Sequence, residues 1–169
     1  MKRDDEPVLD EMTPGSVEPE PTPVAERIRN LVTTQPYGVL ATHGDGHAYA
    51  SLVAFSFSAD LNRAFFATPK ATRKYRLLSE HDRIALVVDD RPEHVGQMMN
   101  VEAVTVTGRA REVTSDPERL ACGEQIVSRH PQLRSFVEAE SCAVFEIEVF
   151  RFFHVSRFQE VRQWAPDQE

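Results

Sequence analysis

Apolar positions fall into two rhythms along this chain. Ile28, Leu31 and Val32 recur at helical spacing, preceded by Thr22-Pro23 and followed by Pro36. Thr is a good N-cap and Pro suits a first turn, so a short helix is predicted that ends at Pro36. From residue 37 the rhythm becomes alternation. "YGVLATH" (37–43) runs into Gly44-Asp45-Gly46, a hairpin signal, and "HAYASLVAFSF" (47–57) returns. On the returning strand Tyr49, Ser51, Val53, Phe55 and Phe57 share one face, and Ala48, Ala50, Leu52 and Ala54 the other. Both faces are apolar or small, which predicts a strand covered on both sides.

Further strands are predicted at "RAFFAT" (63–68), "RIALVVD" (83–89) and "VEAVTVTGRAREV" (101–113), with Gly108 marking a bend or bulge. Ser115 and Glu118 have capping-box spacing, and Pro117 fits a first turn. The helix they open is expected to face Leu120, Ile126 and Val127 inward and to break at Pro131. "CAVFEIEVF" (142–150) and "RFFHVSRF" (151–158) are expected as two closing strands. Six or seven short strands with few helices predict a mainly β domain, a small antiparallel barrel with helices packed outside.

Charge changes the picture at the N-terminus. Residues 1–24 carry seven acids against Lys2 and Arg3, and so hold −5 of the net −8, together with five of the eleven prolines. Such a segment cannot bury enough apolar surface to offset its ordering entropy, so residues 1–22 are expected to be a disordered acidic tail ahead of a domain over 23–169. The remaining body carries the other −3 of the net charge, which argues against a general nucleic-acid binder. No run of apolar residues is long enough to span a membrane. The start "MKRDDEPVLDEM" has no apolar signal region, and Cys122 and Cys142 form neither a metal motif nor a disulfide framework. These features set the expectation of a cytoplasmic protein with two ordinary core thiols. The histidines 43, 47, 81, 94, 130 and 154 are scattered without metal-ligand spacing, so no metal is expected.

One short basic run stands out in this acidic chain. "TPKATRKYRLLSE" (68–80) places Lys70, Arg73, Lys74 and Arg76 between two strand-like segments. Residues 71–80 read as a helix capped by Thr72, with Leu77 and Leu78 toward the core. Arg73 and Lys74 then lie in the first turn, where cations oppose the helix dipole. A bound anion resolves the conflict: backbone N–H groups, the Thr72 hydroxyl, Arg73 and Lys74 would converge on one phosphate. A solvated basic helix end whose stems lie along the surface is the other reading, and the residues alone leave both open.

The order of these segments decides more than any one of them. "GDGHAYASLVAF", "SADLN", "FFAT", "TRKYRLL" and "DRIALVVDD" in succession resemble the FMN-binding split-barrel family, that of pyridoxamine-phosphate oxidase and its relatives, over roughly residues 30–160. The resemblance implies a six- to seven-stranded antiparallel split barrel that binds FMN. It places Ser51, Leu52 and Val53 along the flavin ring and ribityl chain, and Ala67 and Thr68 beside the cofactor. Arg73 and Lys74 hold the phosphate, with Thr72 next to them. It further implies a homodimer with the flavin between subunits and with the loop "RPEHVGQMMN" (91–100) against the partner's flavin. The Arg-x-His-x-Arg segment that binds substrate in true pyridoxamine-phosphate oxidases is missing from "RFFHVSRFQEVRQWAPDQE". Vitamin metabolism is therefore not implied. An FMN-dependent oxidoreductase acting on a small, flat or electron-poor substrate such as a nitro-aromatic is the leading expectation. A haem-binding protein, a non-catalytic flavin carrier and a deazaflavin in place of FMN are the alternatives. In the haem reading His154 or His94 would be the ligand; otherwise both are expected at the surface or an interface. Catalytic residues are not legible, because any chemistry would be the cofactor's.

Overall fold

The computed structural model describes residues 23–158 and 160–166, so the expected N-terminal tail lies outside the described residues. The chain runs α1 (Val24–Thr34), β1 (Tyr37–Gly44), β2 (His47–Phe57), β3 (Arg63–Pro69), α2 (Arg73–Glu80), β4 (Arg83–Asp89), β5 (Ala103–Glu112), α3 (Asp116–Arg129), α4 (Arg134–Glu138), β6 (Cys142–Ser156) and β7 (Glu160–Trp164). All pairings are antiparallel in the order β3-β2-β1-β4-β5-β6-β7, and β3 also pairs with β6. Six strands therefore close into a barrel and β7 extends it along β6. This is the expected mainly β split barrel.

Alternation fills the interior. Leu40, Val53, Phe55, Phe66, Leu86, Val104, Val106, Phe145 and Phe152 point inward and are buried. Ile28, Leu31 and Val32 of α1 join the same core. The opposite faces of β3 and β6, Phe65 and Val144, form a second cluster with Cys122, Ile126 and Val127 of α3. Both cysteines are free and buried. Gly108 sits where the β5–β6 register slips, so that Thr107 pairs with Arg151 and Gly108 with Val149. A Cβ there would lie 2.4 Å from the Glu148 carbonyl oxygen, which leaves no room for a side chain.

Four sequence expectations are corrected. The two predicted closing strands are one strand, β6, and the seventh strand is β7. The pairing with β5 skips Phe150, which is a bulge inside one continuous strand. Leu120 is 66% exposed, because the inward stripe of α3 is set by Cys122, Gly123, Ile126 and Val127. Ser115 makes no side-chain cap; Glu118 instead pairs with Arg111. Pro23 occupies the N-cap position of α1, which has no side-chain cap. Among the described residues no helix is long and apolar enough to cross a membrane.

Candidate functional site

The basic run is divided by the structure into spent and unspent charge. Arg76 is neutralised by Asp45 at 3.0 Å and Glu80 at 3.5 Å. Lys70, Arg73 and Lys74 have no acidic partner within ion-pair distance among the described residues. α2 is seated by its buried Leu77 and Leu78, with Leu77 filling the notch left by Gly44, where a Cβ would come within 2.5 Å of its Cδ2. This packing aims the first turn outward beside the end of β3. Thr68, 1% exposed, lies with its Oγ1 3.1 Å from Thr72 Oγ1. Thr72 Oγ1 accepts from the Tyr75 N–H at 3.2 Å and donates to the Pro69 carbonyl at 2.9 Å. The Thr72 proton is thus committed to shaping the turn. The first backbone N–H groups of α2, at Arg73 and Lys74, keep the orphan status of any helix start.

Lys74 is half-buried, and burial pushes its ammonium below the ordinary lysine pKa with no carboxylate to restore it. The Arg73 guanidinium lies over the Tyr49 ring, 5.3 Å from its centroid. Arg73, Lys74 and two unsatisfied N–H groups share the start of α2, with Lys70 three residues ahead of it, and a donor set of this kind suits an anion. The donor set fits a phosphate monoester.

The other expected residues divide by face. Val53 and Ser51 point inward, and the Ser51 Oγ is buried without a hydrogen-bond partner in the described structure. Leu52 points out and is 67% exposed. The Ala67 side chain packs against the cluster under α3, away from Thr72. Thr68 and Thr72 are in contact beside Arg73 and Lys74, whereas Ser51 and Val53 lie on the inner face of β2 and Leu52 on the outer. The outer face of the sheet is a register row of Leu52, Val39, Val87, Thr105 and Phe153. A second row of Ala50, Ala41, Ala85 and Thr107 lies beside it. Both rows present an apolar, small-residue platform between the strands' polar ends.

The segment between β4 and β5 stands on this face. Its base is pinned where the Asp90 N–H donates to the Glu102 carbonyl at 3.2 Å and the Glu102 N–H to Asp90 Oδ1 at 2.8 Å. A groove of about 540 Å³ is walled by Arg91, His94, Val95, Met98 and Phe158, with Ala103 and Val155 as its floor. Val95, Met98 and Met99 are all more than half exposed.

His154 corrects another expectation. It is fully buried on the inner side of β6, with Nε2 2.7 Å from Glu102 Oε2, and Glu102 is also held by both ends of the Arg27 guanidinium. A long network joining α1, β5 and β6 leaves no readable spacing in sequence. His94 lies in the exposed loop, 3.4 Å from Asp90 Oδ2. Among the described residues no three His, Cys, Asp or Glu side chains are placed to hold a metal. Burial pushes the His154 imidazole below its ordinary pKa, against the opposing bond to Glu102. Burial also works to raise the Glu102 pKa, but hydrogen bonds from Arg27 and His154 outweigh it and keep the carboxylate ionised. The unfolded imidazole therefore takes up a proton that the folded one refuses as pH falls below about 6.5, and stability falls with it. Unfolding free energies from urea titrations should fall more steeply between about pH 7 and pH 5 in the wild type than in His154→Gln; equal falls would remove His154 from the acid sensitivity.

Comparison with known proteins places these features in context. Residues 24–156 match the family model described as pyridoxamine 5′-phosphate oxidase. A 5a,11a-dehydrotetracycline/5a,11a-dehydrooxytetracycline reductase of Streptomyces rimosus is 27% identical over 114 residues, 65% of this chain and 80% of the reductase. A haem-binding protein of Mycobacterium smegmatis superposes with a TM-score of 0.75 at 17% identity, over 85% of this chain and 58% of that one. An FAD-binding protein of Mesorhizobium loti gives a TM-score of 0.62 at 19% identity, over 77% of this chain and 92% of that one. At these identities the two structures establish the shared fold alone.

Proposed function

Since the chain belongs to the pyridoxamine 5′-phosphate oxidase family, we propose that it is an FMN-dependent oxidoreductase acting on a small, flat, electron-poor organic molecule. The observation that carries this reading is the uncompensated basic start of α2, with Lys70, Arg73 and Lys74 beside two unsatisfied backbone N–H groups. Its charge and donor count suit the phosphate of FMN. The similarity to a Streptomyces reductase supports the reductive direction.

Bound FMN would supply the hydride or electron transfer, drawing on an external reductant. The chain's own residues bind and orient. Arg73 and Lys74 bind the phosphate. Thr72 and Thr68 hold the turn that presents them. The apolar rows across β2, β1, β4 and β5 offer a dry surface to a ring system, and a second copy of the chain covers them in a homodimer. The groove beneath Met98 and Phe158 offers a largely apolar slot to a flat substrate. A haem ligated by His154 has less support, because that ring is buried and its Nε2 is bonded to Glu102.

The visible spectrum of freshly purified protein tests the cofactor. Two broad flavin bands that bleach on reduction are the expected result. One intense Soret band would replace FMN by haem, and a single violet band insensitive to oxygen would replace it by a deazaflavin.

A further inference from the structure

We propose that Tyr49 is a positioning residue for the phosphate end of the cofactor site: its ring holds the Arg73 guanidinium in place while leaving its charge and its N–H groups free. The inference rests on the FMN reading above and deepens it.

Two arginines on α2 are held in opposite ways. Arg76 is held by Asp45 and Glu80, which cancel its charge and take its donors. Arg73 is held by no acid; its guanidinium lies over an aromatic face at 5.3 Å. A long arginine side chain left alone samples many rotamers and would lose that freedom on binding an anion. A carboxylate partner would restrict it but would also compete with the anion. Contact with an aromatic face restricts it and leaves the in-plane N–H fork available for bidentate contact with phosphate oxygens.

Tyr49 comes from a part of the fold suited to this role. It sits on β2 opposite Thr42 of β1, and the Thr42 hydroxyl donates to the Tyr49 carbonyl at 3.3 Å. The Tyr49 backbone is therefore fixed in the sheet, while Arg73 belongs to the helix packed on it through Leu77 and Gly44. The contact joins the two elements at the point where the ligand would bridge them. β2 also carries Ser51, whose buried, unpartnered Oγ lies two residues further along the same face.

Dissociation constants for FMN and for riboflavin, from quenching of flavin fluorescence, test this in Tyr49→Phe, Tyr49→Leu, Tyr49→Ala, Arg73→Ala and the double variant Tyr49→Ala/Arg73→Ala. Tyr49→Phe keeps the aromatic face and should bind FMN as the wild type does. Tyr49→Leu keeps bulk without that face, and should bind FMN about two- to fivefold more weakly, as should Tyr49→Ala, the scale of an exposed cation–π contact. Riboflavin affinity should not change in any of them. The double variant should be no weaker than Arg73→Ala, because both changes remove one interaction. Loss in Tyr49→Phe equal to that in Tyr49→Ala would make the hydroxyl a direct ligand and overturn the positioning role. Equal losses for riboflavin, or additive losses in the double variant, would overturn it too. An Arg73→Ala protein with unchanged FMN affinity would defeat the phosphate reading itself, whatever Tyr49 does.

Discussion

Replacing Arg73 and Lys74 together by alanine should lower FMN affinity at least tenfold and leave riboflavin affinity nearly unchanged. Charge-assisted hydrogen bonds contribute about 1.5–3 kcal/mol each, and a partly solvated pair falls toward the low end of that range. One contact at that low end already corresponds to a tenfold change in affinity. Riboflavin lacks the phosphate, so the difference between the two ligands isolates this site from the ring pocket. Neither residue carries an ion pair among the described residues, and the lost Arg73 contact with the Tyr49 ring is worth about 0.5–1 kcal/mol at an exposed site, so the variant should melt within a few degrees of the wild type. Isothermal titration with both ligands reads the result. Equal losses for FMN and riboflavin would show that the pair does not read the phosphate.

Leu52→Glu should convert a dimer into a monomer and weaken FMN binding along with it. Leu52 is 67% exposed in the single chain and heads the apolar row that continues through Val39, Val87 and Thr105. A carboxylate there costs the folded monomer little. Buried beneath a second copy without a partner, it costs several kcal/mol. A ligand shared across an interface stabilises the dimer by the same free energy that the dimer adds to ligand affinity, so both quantities should fall together. Sedimentation across a dilution series, with and without FMN, measures both. A variant that dimerises at the wild-type concentration would show that this face is not where two copies meet, and a wild type that stays monomeric with FMN bound would end the shared-site reading.

Much of the barrel was legible because its strands alternate strictly. β1 and β2 meet at the turn residues Gly44-Asp45-Gly46, and the inward positions at the middle of the strands, Leu40, Val53, Phe55, Phe66, Ile84, Leu86, Val88, Val104 and Val106, are Val, Ile, Leu or Phe. α2 was legible from Thr72 and from Leu77 and Leu78, and with it the placing of Arg73 and Lys74. What escaped depends on pairing between distant segments. β7, "EVRQW", is too short and polar to signal a strand and exists through its register against Phe152 to Ser156. The continuity of β6 depends on a bulge opposite Gly108, which only the partner strand reveals. His154 resembled an exposed strand residue because its partners, Arg27 and Glu102, are far off in the chain. The Tyr49–Arg73 contact joins a strand to a helix that opens more than twenty residues later, and no local period points to it.

The seam between β3 and β6 has a consequence for how the chain is made. β3 spans Arg63–Pro69, yet its partner residues are 142–148, near the end of the described chain. On a ribosome, β1 to β5 emerge and can pair locally while β3 waits with one edge bare and Phe65 and Phe66 unburied. Only when β6 emerges does that edge find its mate. Thr68 lies on the waiting strand, so its contact with Thr72 at the start of α2 is flanked by an open edge until β6 arrives. Closure over such a span is slow compared with local pairing, and a bare apolar edge invites strangers in the interval. The nascent protein thus meets its period of greatest vulnerability just before the barrel closes.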